Sequence, residues 1–477
     1  MTSDSVHTGQ RTLVRQLGLF DSTMIMVGIV IGSGIFVSTG IMAASIPSLS
    51  LMLVAWIAGG LFTLAGAFTY AELGAAMPQA GGQYVYLREA FGDLTAFLFG
   101  WVTFFVYLAG GIAGLAAAFA EYFGRFVPSV STARILVSFD LSVVGFEIPY
   151  SLSAGQLVGV AVIALLSVVN YLRVSFGSGL QNALTVIKIG TLLALVAAGF
   201  TLGNVADIDL SINPTGASAG ALLTGFGLAL VAVFWAFDGW NNVTYVAGEI
   251  RQPGRNIPKT LIMGAVCVSG LYILVNLAYF SALGLEEMAG VVTIAEKATS
   301  VLLGDSAGAL VAAAVVVSIF GSINGSIIVG PRVYYAMARD GLFFKRVGEV
   351  SRKNGTPGFA ILAQAIWTSV IVMSGTFDQI LTFTMFVAIA FWILAAGAVF
   401  VLRKKRPDLP RPYRTWGYPV VPALFILASA GVMVSILVER PVESFAGIAL
   451  TALGLPAYYF WKRKAGPADP TRNEGRR

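Results

Sequence analysis

Two side chains that commonly build reactive centres are almost missing from these 477 residues. The single cysteine, Cys267, sits in an apolar run. That excludes an internal disulfide and any thiolate metal cluster. The single histidine, His7, lies in the polar N-terminal tail, which leaves no basis for histidine-ligated haem or a histidine metal site. No cofactor is expected. Charge is scarce too: 11% of residues are Asp, Glu, Lys or Arg, against about 25% in a soluble globular protein. No linker or low-complexity stretch marks a second domain, and the N-terminus lacks the short apolar core of a cleavable signal.

What is present is apolar sequence, 57% hydrophobic, with 54 glycines set within the apolar runs. The runs have the length of membrane helices, since barrel strands need only about 10 alternating residues. Spans of about 20 residues predict twelve helices. Their limits are 19–45, 49–76, 93–122, 152–171, 177–201, 221–247, 258–284, 305–338, 357–374, 378–402, 419–438 and 443–461. The fold class expected is all-α, integral to a membrane. Of the 30 Lys and Arg residues, 26 fall on one side of this arrangement; the other side holds Arg125, Arg134, Lys297 and Arg440. Both termini are therefore expected in the cytoplasm. The basic clusters are read as topology determinants, not as a nucleic-acid or lipid-specific surface.

Two spans carry interruptions at matching places: Gly32-Ser33-Gly34 in the first and Phe237-Asp238-Gly239 in the sixth. Glycine weakens a helix and frees backbone groups, which lipid tolerates only where they face protein or a water-filled cavity. Paired broken spans are the best sequence pointer to a transporter's binding site, and an offset of five spans has the parity of an inverted repeat. Within Val30–Phe36, a new helix near Ser33 presents free N–H groups and a positive dipole end to a carboxylate. The half-helix ending near Val30 and Ile31 offers carbonyls to an ammonium, as do Phe234, Trp235 and Phe237 in the sixth span.

Several motifs together resemble the amino acid–polyamine–organocation superfamily. They are GSGIF at 32–36, Pro78–Tyr86 followed by Phe99-Gly100-Trp101, and Gly330-Pro331-Arg332 through Ala338-Arg339-Asp340-Gly341 with Thr356-Pro357. The stretch Phe234–Asn241 with Glu249, Pro253, Asn256, Ile257 and Pro258 is most similar to LAT-type amino-acid transporters. The resemblance implies a LeuT-type fold of five plus five inverted helices, with spans one and six discontinuous. It also implies amino-acid transport by alternating access.

The organisation that follows is an N-terminal tail (1–18), a ten-helix core (19–402, repeats 19–201 and 221–402) and a basic loop (403–418). Two additional helices (419–461) and a C-terminal tail (462–477) complete it. The substrate-binding set implied is Val30, Gly32, Ser33, Gly34, Ile35, Trp235, Phe237 and Asp238, with Trp235 also closing over the substrate as a gate.

Lys188 lies deep in the fifth span, where a lysine costs about 2.5–3.5 kcal/mol on insertion scales. The resemblance places it where sodium-coupled relatives hold a cation, bridging the first span to Ser318 and Ser322 in the eighth. Sodium-independent exchange of neutral L-amino acids across the plasma membrane is expected. A proton-coupled symporter is the alternative, and a channel or transport-like receptor a more distant one; an enzyme is not expected. Asp238 either faces the cavity and favours a cationic substrate or caps the broken helix. Glu72 is expected to pair with a cytoplasmic-side arginine, and Asn324 to bond across helices. The stretch from Glu121 to Tyr150 has no cysteine. The animal LAT-type carriers that the chain resembles hold a heavy subunit through a cysteine between spans three and four, so the resemblance implies a stand-alone monomer or weak homo-oligomer here, without a disulfide-linked heavy subunit.

Overall fold

A computed structural model describes residues 13–143, 146–213, 216–351, 353–374 and 377–465. His7, Arg11, Arg352, Arg472, Arg476 and Arg477 lie outside them. The first apolar run is two helices, α1 (Leu19–Val30) and α2 (Gly34–Ser45). Next come α3 (Leu49–Ala76), the short α4 (Gln83–Phe91), and α5 (Asp93–Val102), which is joined to α6 (Leu108–Phe126) through a π-helical turn at Thr103–Tyr107. A hairpin, β1 (Ile135–Val143) and β2 (Phe146–Ser153), leads to α7 (Ala154–Leu172), α8 (Val174–Leu202) and α9 (Ala219–Phe237). Beyond the second break, a 3-10 stretch at Asn242–Glu249 precedes α10 (Pro253–Ala282), α11 (Leu285–Met288) and α12 (Ile294–Leu303). The chain ends with α13 (Asp305–Arg339), α14 (Gly358–Ser374), α15 (Phe377–Lys405), α16 (Val420–Glu439), α17 (Pro441–Ala452) and α18 (Gly454–Ala465).

Among the described residues, ten segments are long and apolar enough to cross a bilayer, as in a multi-pass membrane protein. Two expected spans look different. The ninth, α14, has 17 residues. The twelfth is divided at Leu453 into α17 and α18, of 12 residues each; Pro456, just beyond, has no N–H to continue the ladder from α17. The seventh span begins at Pro253, ahead of the expected 258. Pro253 occupies the first turn, where a missing N–H costs nothing, and Pro258 lies inside the helix.

The all-α expectation needs one correction, the antiparallel pair β1–β2. Its first strand alternates apolar with polar residues from Val137 to Val143, and the Phe139 ring packs across the pair against Tyr150, tilted, with centroids 5.1 Å apart.

The breaks sit at the centre of the bundle because of what packs around them. α1 lies against α8, α10 and α13, while α2 lies against α9, and α3 packs on both α9 and α10. The segment before α1 is tied to the far end of the sixth span. Gln16 and Leu17 both donate N–H bonds to the Glu249 carbonyl at 2.9 Å, and Arg251 donates to that of Leu17 at 2.8 Å. Under this junction the buried Arg332 grips Glu249 with two bonds, Nε to Oε1 at 2.7 Å and Nη2 to Oε2 at 3.1 Å. The glycines of Pro78–Tyr86 let that loop touch the same stretch. Gly81 donates to the Tyr245 carbonyl at 2.9 Å. Gly82 has φ +45°, and a Cβ there would lie 2.5 Å from the Thr244 oxygen. Glu72 holds the basic loop: Arg403 donates to it twice, at 2.9 and 2.6 Å, and the Thr415 N–H adds a bond of 2.7 Å.

Candidate functional site

At the first break α1 ends at Val30, and the Ile31 N–H closes its last helical bond, to the Val27 carbonyl at 2.9 Å. Gly32 donates its N–H back to the Val30 carbonyl at 2.7 Å, closing a tight turn, and Phe36 donates to that of Ser33 at 3.1 Å. Among the described residues, the N–H groups of Ser33, Gly34 and Ile35 meet no backbone acceptor. They are the free donors of a helix start, at its positive dipole end. At the second break α9 ends at Phe237. Asp238 donates to the Trp235 carbonyl at 3.1 Å, and Gly239 turns the chain with φ +93°. The two breaks touch: a Cβ on Gly34 would lie 2.5 Å from the Cα of Ala236.

Side chains from neighbouring helices satisfy the freed carbonyls. The hydroxyl of Tyr272, on α10, lies 2.9 Å from the Val30 oxygen and 3.1 Å from that of Ala236, so one group pins both half-helices. Lys188, on α8 and 1% exposed, points its ammonium into the first break. Nζ donates to the Gly28 carbonyl at 2.6 Å, the Ile31 carbonyl at 2.8 Å and Ser322 Oγ at 2.9 Å. Three donors meet three neutral oxygens, a complete set for an ammonium in a dry site. Ser318 bonds the Ile31 carbonyl at 3.1 Å and lies one step away from the lysine.

Both breaks line one narrow cavity of about 40 Å³. Its walls include Val30, Gly32, Ser33 and Gly34 from the first break and Trp235 and Asp238 from the second. A larger groove lies at the end of α10. The smaller space is the candidate site, because free donors and freed carbonyls converge there.

Two residues of the sequence-derived set stand outside its lining. Ile35 is fully buried, and the Phe237 ring packs against Trp56 and Tyr272, with centroids 6.1 and 5.1 Å away. Val30 lines the cavity, but its carbonyl already has the Gly32 and Tyr272 donors. Asp238 borders the cavity, and its Oδ1 accepts the Tyr107 hydroxyl at 2.8 Å.

Tyr107, Tyr272, Asn242 and Ser326 belong to the site or its support and escaped the sequence reading. A tyrosine inside an apolar span carries no local signal of its partner. Asn324 binds helices together. It accepts from Asn170 at 2.8 Å and donates to Gln181 at 2.9 Å, joining α7, α8 and α13.

Comparison with known proteins agrees with the motifs. The amino acid permease family model matches residues 17–453. The serine/threonine exchanger SteT of Bacillus subtilis is 30% identical over 96% of this chain and 99% of its own. The human b(0,+)-type amino acid transporter 1 is 30% identical over 94% of this chain and 88% of its own. The human large neutral amino acids transporter small subunit 2 is 28% identical, covering 96% and 82%. A match over nearly the full length, in a chain with two broken apolar helices around one cavity, makes this protein a member of the amino acid permease family, within the amino acid–polyamine–organocation superfamily.

Proposed function

We propose that this carrier exchanges neutral L-amino acids across the plasma membrane by alternating access, without sodium. The observation that carries the reading is the meeting of two helix breaks at one cavity, with free N–H groups at the start of α2 and carbonyls at the end of α9. An α-amino acid has an anion at one end and a cation at the other, and the breaks offer donors to the first and acceptors to the second. Ser33 and Gly34 take the carboxylate with their free N–H groups, beside Gly32, whose own N–H closes the turn on Val30. The carbonyls of Trp235 and Asp238 take the ammonium, and the half-buried indole of Trp235 closes over the side chain.

Lys188 supplies the fixed charge that a bound sodium ion would otherwise provide at the Gly28 and Ile31 carbonyls. The names of the bacterial exchanger and the neutral amino-acid transporter support exchange of neutral substrates.

In this reading the chain crosses the membrane twelve times, with both termini in the cytoplasm. Residues 19–201 and 221–402 are inverted repeats, the loop 403–418 lies on the inner face, and the last two spans stand outside the repeat. It works as a monomer or weak homo-oligomer. Cys267 lies on α10, away from the 121–150 stretch where a disulfide-linked partner would attach.

The test is counterflow in proteoliposomes. Labelled serine, threonine or leucine is expected to accumulate when the lumen holds unlabelled amino acid, in sodium-free buffer and without a pH gradient. Accumulation that needs a pH gradient and ignores the internal amino acid would replace exchange with proton symport.

A further inference from the structure

At the end of α10 that adjoins the basic loop, an open groove of about 750 Å³ runs between the helix and Pro412-Tyr413. Its rim carries Arg255 and Lys259, one helical turn apart and both exposed. Neither has an ion-pair partner among the described residues, and no carboxylate lines the groove. Glu72, which holds the basic loop, is already gripped by Arg403 and Arg411.

Below the cations the floor becomes apolar, with Ile262 and Met263. The apolar face continues down α10 at helical spacing. Met263 is 52% exposed, Val266 56% and Leu274 40%, on a helix whose other faces are packed. Trp416, three residues beyond Tyr413, is 67% exposed and contacts Phe68 at 5.5 Å. An exposed tryptophan at a span end marks headgroup depth.

Paired cations at that depth, a groove large enough for a headgroup and an apolar stripe leading into the bilayer match one ligand chemistry. We infer that this groove is a binding site for an anionic phospholipid, whose phosphate sits on Arg255 and Lys259 and whose acyl chain lies along Met263 and Val266. The inference requires only that α10 spans the membrane and is independent of which solute is carried. It goes beyond the role of the basic residues as topology determinants, because these two border an open groove that leads onto an apolar stripe.

The test is native mass spectrometry of the full chain in detergent after incubation with dioleoylphosphatidylglycerol or dioleoylphosphatidylcholine. Wild-type protein is expected to retain phosphatidylglycerol in preference to phosphatidylcholine. Arg255→Gln with Lys259→Gln is expected to lower that retention by about ten- to thirty-fold, as for two cations lost from a lipid surface. Met263→Trp, which fills the floor, is expected to lower it as well. Lys462→Gln with Arg463→Gln, a basic pair away from the groove, keeps it.

Glycerol 3-phosphate and inorganic phosphate at matched concentration should not displace the lipid; equal competition would make this a free-anion site and overturn the proposal. Equal retention of both lipids, or unchanged retention in the double variant, overturns it too. If the double variant fails to fold, a photoactivatable phosphatidylglycerol on wild-type protein decides. Labelling of α10 or residues 406–418 supports the site, and labelling confined to other helices refutes it.

Discussion

A lysine in the middle of a membrane span survives only if its ammonium is fully coordinated, and Lys188 shows how this is done without a carboxylate. Its three bonds go to two peptide carbonyls freed by the first break and to Ser322. The lysine thus requires the break: without those carbonyls its buried ammonium would lack acceptors, at about 1–3 kcal/mol for each unmade bond. Lys188→Met should therefore insert in the membrane yet lose more than about ten-fold in exchange rate, since about 1.4 kcal/mol is a factor of ten. Sodium should not restore it. Recovery of wild-type rates in sodium buffer would show that the ammonium merely stands in a vacant cation site.

Tyr272 works on the same principle, with one hydroxyl between the Val30 and Ala236 carbonyls. Tyr272→Phe removes about 1 kcal/mol of hydrogen bonding, and thermal unfolding in detergent should begin at a lower temperature. An unchanged melting curve would mean that the two carbonyls find other donors.

Among the elements, the broken helices were the most legible in sequence, because glycine inside an apolar run weakens the helix where a membrane span unwinds. Lys188 was legible for a related reason, as a charge with no neighbouring interface to reach. Glu72 announced the type of its partner, an arginine, but not that Arg403 and the Thr415 backbone would supply the bonds.

The tyrosines that complete the site, Tyr107 and Tyr272, were invisible, since contact between helices far apart in sequence leaves no local pattern. The hairpin was passed over because its alternation is short and lies between long helices. Ile35 and Phe237 adjoin the two breaks along the chain but are not among the residues lining the cavity. Helical geometry turns neighbours to different faces, and these two turn into packing.

Close contact of the breaks also sets what they tolerate. A side chain at Gly34 meets the Ala236 backbone, so Gly34→Leu should abolish counterflow while surface labelling still finds the protein in the membrane. Normal counterflow by that variant would discredit the site. The Arg332–Glu249 pair beneath the sixth span is buried on both sides, at 2% and 1% side-chain exposure. Glu249→Gln leaves a buried charge without its partner, at a cost of about 3–5 kcal/mol. The expected result is poor recovery of monodisperse protein, improved when Arg332→Met is added. No difference between single and double variants would remove the pair from the stability account.

For the whole molecule, the distribution of basic residues and the even span count make one prediction about topology. In a Cys267→Ala background, Lys464→Cys in intact cells should resist a membrane-impermeant maleimide and react only after permeabilisation. Labelling in intact cells would invert the orientation and the assignment of the basic loop to the inner face.

The carrier reading itself rests on peptide groups of two half-helices holding both ends of an amino acid. The most direct measurement is competition for a bound labelled substrate by three compounds that share one side chain: the free amino acid, its methyl ester and its N-acetyl derivative. The account predicts displacement by the free amino acid alone, because the ester no longer offers a carboxylate to the Ser33 and Gly34 N–H groups and the acetylated compound no longer offers an ammonium to the Trp235 and Asp238 carbonyls. Displacement by either blocked compound with the affinity of the free amino acid would contradict it.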